Sequence, residues 1–239
     1  MDLDPGLGAL RPLGGFFVLR TSLDAPRAGT PLARAYADGN PLDLRLRHVA
    51  RVLRTGEDRV AASVAQQGLA ARLWSVALGC AALYGSVPDL DPELLHWDPG
   101  AAAPDDLWLG EVRARRADPG TVADVVLHGH LEPLAGALGR RHRVAHGLLW
   151  GNAASALAAA ARQLDGWARA HGRSDAAARS RDLTARLLAH PLLAGTGTRT
   201  GTAFRRRSCC LYYRVPGGGL CGDCCLTRPP RSSPHAPSG

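Results

Sequence analysis

The chain has 239 residues, a formal net charge of +8 and an ordinary apolar share drawn chiefly from Ala, Leu and Val, enough for a core without covalent staples. Every one of its 29 basic residues is arginine, spread along the chain and often beside Asp or Glu, while aromatics make up only 5%. Solvated helix faces explain that balance, and the missing aromatic interleaving argues against nucleic-acid binding.

Residues 1–40 are rich in Gly, Pro and Asp, which predicts loops around a short extended piece at Gly15-Phe16-Phe17-Val18-Leu19. From about Leu42 the pattern turns helical. Gly56-Glu57-Asp58 opens a long helix that runs to about Tyr84, with an acidic first turn and Pro88 just beyond its end. Its second half is apolar nearly all round, the mark of a central buried helix, and Cys80 there reads as a small core residue. The Pro- and Asp-rich stretch 88–104 predicts turns. Leu107 to Arg113 alternates like a strand, and Thr121 to Leu127 fits either a strand or a helix start. Helices are expected over Leu131–Gly139 and Leu148–Gly172, and from a capping Ser174 to Ala189, where His190-Pro191 stops the chain. Gly195 to Gly201 reads as a flexible connector and residues 226–239 as a disordered tail. The predicted class is therefore mainly α (α+β). It comprises an extended N-terminal region (1–40), a mainly helical domain with a small β element (41–200), a cysteine-rich segment (201–225) and the tail.

Five of the six cysteines lie in that segment, with the spacing Cys-Cys-x10-Cys-x2-Cys over Cys209, Cys210, Cys221 and Cys224. Four thiolates are the ligand count of both a Zn(Cys)4 site and a [2Fe–2S] cluster. Gly222 can take the left-handed backbone that folds a Cys-x2-Cys knuckle around a metal. The adjacent pair Cys209-Cys210 is unusual for zinc, whose sites are built from two spaced knuckles. Neighbouring side chains of an extended segment point apart, and a two-iron centre, being wider, tolerates them more easily. This favours iron–sulfur and leaves zinc open. No apolar run reaches the ~18–20 residues of a membrane helix. The start, Met1-Asp2-Leu3-Asp4-Pro5, lacks the basic and apolar regions of a signal peptide. A cytoplasmic location is expected, where clustered thiols point to metal or redox chemistry rather than disulfides.

The run Phe204-Arg205-Arg206-Arg207-Ser208-Cys209-Cys210-Leu211-Tyr212-Tyr213-Arg214, followed by Cys221-Gly222-Asp223-Cys224, resembles the signature of the ferric siderophore reductase family (FhuF type). The likeness extends to Leu149–Leu157 and, more loosely, to Gln67–Leu73. It implies that Cys209, Cys210, Cys221 and Cys224 ligate a [2Fe–2S] cluster. It also implies that the chain reduces cytosolic Fe(III)–siderophore complexes by one-electron transfer, releasing Fe(II). Cys225 departs from the Pro expected at its position and is a spare thiol or an alternative ligand. With no phosphate loop and no dinucleotide fingerprint, electrons are expected from a separate donor such as a ferredoxin or a flavin reductase. Arg205, Arg206 and Arg207, with Arg214, are candidates for docking an anionic ferric complex or an acidic donor, or else form a basic flank of the cluster. Peripheral membrane contact stays open. A Zn(Cys)4 interaction module and an iron–sulfur sensor or carrier are the alternative readings.

Two further groups read as structural. His142 and His146, with His128 and His130 upstream, lack the Glu of an H-E-x-x-H zinc motif and sit among arginines, as a solvent-facing basic segment would. Trp150-Gly151-Asn152 reads as a hydrophobic anchor with Asn152 near a helix cap; the sharper alternative is one wall of a substrate pocket.

Overall fold

The computed structural model describes residues 4–21, 29–37 and 40–230; the tail expected over 226–239 falls outside the described residues from 231 onward. Its centre is helix α4 (Asp58–Tyr84), which follows the short helices α1 (Asp4–Gly8) and α2 (Leu32–Ala37) and the helix α3 (Asn40–Leu53). Trp74, Leu73, Leu78 and Cys80 of α4 are all but inaccessible, as its all-round apolar second half dictates. The helix ends where Gly85 takes a left-handed backbone (φ 68°) and donates its N–H to Ala81 O at 3.1 Å. Against α4 pack α7 (His146–Ala170) and α8 (Ser174–Leu188), and with them α6 (Glu132–His142) closes one hydrophobic core.

Three small sheets among the described residues complete the α+β architecture. Strands β1 (Arg20–Thr21), β2 (Thr30–Pro31), β4 (Leu95–Trp97) and β5 (Leu107–Leu109) form a four-stranded sheet in the order β1-β5-β4-β2, with β1 and β5 parallel. Strand β3 (Ser86–Pro88) pairs with β6 (Ala114–Arg116), and β7 (Gly197–Thr200) with β8 (Ala203–Arg206). The sheet region is tied to α4 by the buried pair Arg72–Asp106 at 2.9 Å. The same guanidinium reaches Gly15 O (3.0 Å) and Phe16 O (2.6 Å), so one side chain gathers three segments.

Several local expectations change. Gly15–Phe17 is a 3-10 turn rather than an extended piece, because it delivers Phe17 into the core over Gly79. Thr121–Leu127 is helical. Asp118 caps α5 (Pro119–Ala123) by accepting from Thr121 N at 3.0 Å, with Pro119 in the first turn. The chain then continues as a π-helix over Asp124–Leu131. Ser174 is the first residue of α8 instead of its cap. The connector Gly195–Gly201 is largely strand β7, paired in register from Gly197↔Arg206 to Thr200↔Ala203.

Candidate metal centre

The β7–β8 hairpin delivers the cysteine segment to the faces of α4 and α7. Along β8 alternate side chains point opposite ways, so Phe204 and Arg206 turn inward while Ala203 and Arg205 stay exposed. Beyond β8, Ser208 Oγ donates to Gly147 O at 2.8 Å. The contact depends on Gly151, since a Cβ there would stand 2.2 Å from Ser208 Oγ. Ser63 on α4 donates to Cys210 O at 2.7 Å, and its own O and Oγ accept from Asn152 Nδ2 at 3.0 and 3.1 Å. Asn152 Oδ1 in turn accepts from Arg206 Nη1. The second half of the motif is held by Asp223. Its carboxylate accepts from Ser155 Oγ at 2.5 Å and pairs with Arg162 Nη2 at 3.1 Å, and its carbonyl accepts from Arg206 N at 3.0 Å.

Both cysteine-bearing turns aim backbone N–H groups at sulfur. Leu211 adopts a left-handed backbone (φ 67°) just after the adjacent pair, and its N–H donates to Cys209 Sγ at 3.3 Å. In the other half Cys224 N donates to Cys221 O at 3.1 Å, closing the knuckle, and Leu226 N donates to Cys224 Sγ at 3.4 Å. All five thiols are free; Cys210 is buried and the others half-buried. Burial pushes the Cys221 thiol up to about 12, helped by its contact with Cys210 and opposed by Arg206. Burial also raises Cys209, followed by its neighbours Cys210, Cys225 and Cys224. The thiols are thus close enough to sense one another. No three His, Cys, Asp or Glu among the described residues converge tightly enough to hold a single ion. Cys80, buried in α4, stands apart with its pKa also near 12.

Arg206 decides whether the site suits a cluster. It is 3% exposed, and its Nε and Nη2 have no hydrogen-bond partner among the described residues. A buried, unpaired cation is costly. Two sulfides and four thiolates outweigh the charge of two irons, so a [2Fe–2S] centre held by these thiols would supply the missing negative charge. The residues present therefore fit the group. The same burial corrects the expectation that Arg206 docks a substrate or donor, because its side chain does not reach solvent. Arg207 is exposed as expected, while Arg214 is engaged with Glu57 at 2.7 Å.

A family model described as "Ferric iron reductase FhuF-like transporter" matches residues 57–198, and one described as "FhuF 2Fe-2S C-terminal domain" matches residues 206–226. The chain belongs to the FhuF-like ferric iron reductase family. Its C-terminal segment is thus a [2Fe–2S] domain, and the bonds from Ser63, Asn152, Ser155 and Arg162 fasten that domain to the reductase helices. No curated protein matches the chain. No helix among the described residues is long and apolar enough to cross a membrane.

Several residues of this FhuF-like site carry no signal that sequence reasoning used. Asn152 was placed near a cap, but it lies inside α7 and fully buried, as the polar joint between α4 and Arg206. Its rarity was the available clue, since the chain has only two Asn. Asp223 stood in the motif without a role. Of the histidines, His130 is buried rather than solvent-facing; its Nε2 donates to Leu90 O at 2.5 Å and its Nδ1 accepts from Tyr36 OH at 2.7 Å.

Proposed function

We propose that Cys209, Cys210, Cys221 and Cys224 ligate the [2Fe–2S] cluster and that the chain uses it to reduce Fe(III)–siderophore complexes in the cytoplasm. The observation that carries this reading is the gathering of these thiols against a buried Arg206 that lacks a counter-charge. When bound, the cluster supplies electrons one at a time. The substrate iron is a hard trivalent cation held by anionic oxygens; adding one electron lowers its charge and weakens that hold, so Fe(II) is released. The chain's own residues set the conditions. The Leu211 and Leu226 N–H groups donate to Cys209 and Cys224, stabilising thiolates at those positions. Arg206 offsets the negative charge from the buried side. Asp223 and Ser63 hold the two cysteine-bearing turns against rigid helices, so little reorganisation accompanies electron transfer. Cys225, beside Cys224 and Cys209, is a neighbouring thiol outside the ligand set. Electrons come from a separate protein donor of the ferredoxin or flavin-reductase class.

The test is an ultraviolet–visible spectrum of anaerobically purified protein with iron, sulfide and zinc analysis. Visible charge-transfer bands that bleach on reduction, with about two iron and two sulfide per chain, are expected. Cys221→Ser should lose both the bands and the reduction of ferric siderophores. A colourless protein carrying one zinc per chain, or a brown and active Cys221→Ser variant, would overturn the reading.

A further inference from the structure

A cavity of about 680 Å³ opens against the first turns of α7, with His128, Glu132, Arg140, His146, Trp150 and Leu192 among its lining residues. Helix α7 fixes its place. His146 and Trp150, four residues apart, share the face turned to the cavity. The next residues, Gly147 and Gly151, share the face against Ser208, one residue before Cys209. Cavity and cysteine segment therefore flank the same two turns of a single helix, about 10–12 Å across with its side chains. Three residues after Leu192, Gly195 lies against the Arg207 guanidinium, and Arg207 N donates to Thr196 O at 2.8 Å.

The lining has a definite chemistry. The π-helix over Asp124–Leu131 turns His130 into the core and leaves His128 at the cavity, the kind of local irregularity that often marks a functional site. Glu132, the acidic lining residue, is engaged by His128 Nδ1 at 2.8 Å, and the His128 ring meets His190 edge-on at 5.4 Å. Arg140 lines the cavity and has no carboxylate partner among the described residues. Trp150 adds a half-buried aromatic wall. No three of the His and Glu side chains here converge to hold a bare ion, so the cavity does not read as a metal site. Its volume instead lies in the range of about 300–1,000 Å³ that takes a drug-sized molecule.

We propose that this cavity docks an iron(III) chelate whose ligand oxygens leave the complex net negative, one face against Trp150 and its charge toward Arg140. The proposal rests on the reading of the chain as a ferric-chelate reductase, and it adds the place of docking and the charge class of the substrate. The probe is a gallium(III) tris-catecholate complex, a redox-inert and anionic stand-in for a ferric chelate, titrated into the purified protein by calorimetry. Binding is expected, and reversal of the exposed charge in Arg140→Glu should weaken it at least about tenfold, with added salt acting in the same direction. Trp150→Leu should also weaken it. A neutral gallium(III) tris-hydroxamate should bind less tightly and ignore Arg140→Glu. Absence of binding, equal binding by wild type, Arg140→Glu and Trp150→Leu, or preference for the neutral complex would overturn the proposal. Iron and sulfide content and reduction of ferric chelates, measured on the same preparations, separate the two readings. A protein with a cluster and reductase activity but Arg140-independent binding loses only the docking site. One without cluster or activity that binds through Arg140 loses only the reductase reading.

Discussion

Burying the Arg206 guanidinium with Asn152 as the acceptor for Nη1 leaves Nε and Nη2 unsatisfied, an arrangement that opposes folding of the metal-free chain. A carboxylate lies close by in the fold but is already engaged: Asp223 is taken by Ser155 and Arg162 and meets Arg206 through its backbone carbonyl. The guanidinium is thereby kept for the thiolates, which is how a positioning residue differs from a packing one. Arg206→Met tests this with two readouts that separate a positioning role from a packing one. Reduction adds negative charge, so loss of the nearby cation should lower the midpoint potential by tens of millivolts, about 59 mV being a factor of ten for one electron. The metal-free chain should be no less stable to urea than wild type, since an unpaired buried charge has been removed. An unchanged potential together with a destabilised metal-free chain would show that Arg206 is only packing.

At the scale of elements, α7 does two jobs with one stripe of small residues. Its buried Ala face lets α4 approach closely, and Gly151 admits Ser208 at the start of the cysteine segment, where the Ser208 hydroxyl donates to Gly147 O. Gly151→Ala separates those jobs. Alanine should strengthen an isolated helix by about 1 kcal/mol relative to glycine, yet its Cβ would stand 2.2 Å from Ser208 Oγ and push the segment away. The expected outcome is an unchanged or raised melting temperature with a clear fall in iron and sulfide content and faster proteolysis within 201–225. Full cluster content in Gly151→Ala would show that the close approach is dispensable.

The molecule as a whole hangs on one core, and its polar inclusions make its stability depend on pH. His130 is fully buried between Tyr36 and Leu90, and burial lowers its pKa to about 4, below the ordinary value near 6.5. The unfolded chain therefore takes up this proton first as pH falls. The stabilising contribution is complete above about pH 6.5 and is lost progressively down to about pH 4. Between pH 7.5 and 5.5 the loss is on the order of 1 kcal/mol. Urea unfolding of wild type and His130→Gln at those two pH values should show wild type losing that much more than the variant. Parallel pH dependence in both would mean that His130 does not remain neutral in the folded state.

How much of this could be read beforehand depends on the range of the interactions involved. The extent of α4, the strand at Leu107 and the four-cysteine spacing rest on periodicity and composition within a few residues, and these are properties of the sequence itself. The cap Asp118-Pro119 was equally local and could have settled the helix at Thr121. The burial of Arg206 could not be read, because three consecutive arginines look alike until the pairing of β7 with β8 turns one of them inward. Nor could the partnership of Ser63, Asn152 and Asp223 be found, since 89 residues separate the first two and 68 separate Ser155 from Asp223. The sequence by itself determined a mainly helical chain with a cysteine motif able to hold iron and sulfide. Which charge faces the thiols, and which cavity shares α7 with their segment, follows only from the tertiary structure, because both depend on side chains that meet only after α4, α7 and the hairpin have packed together.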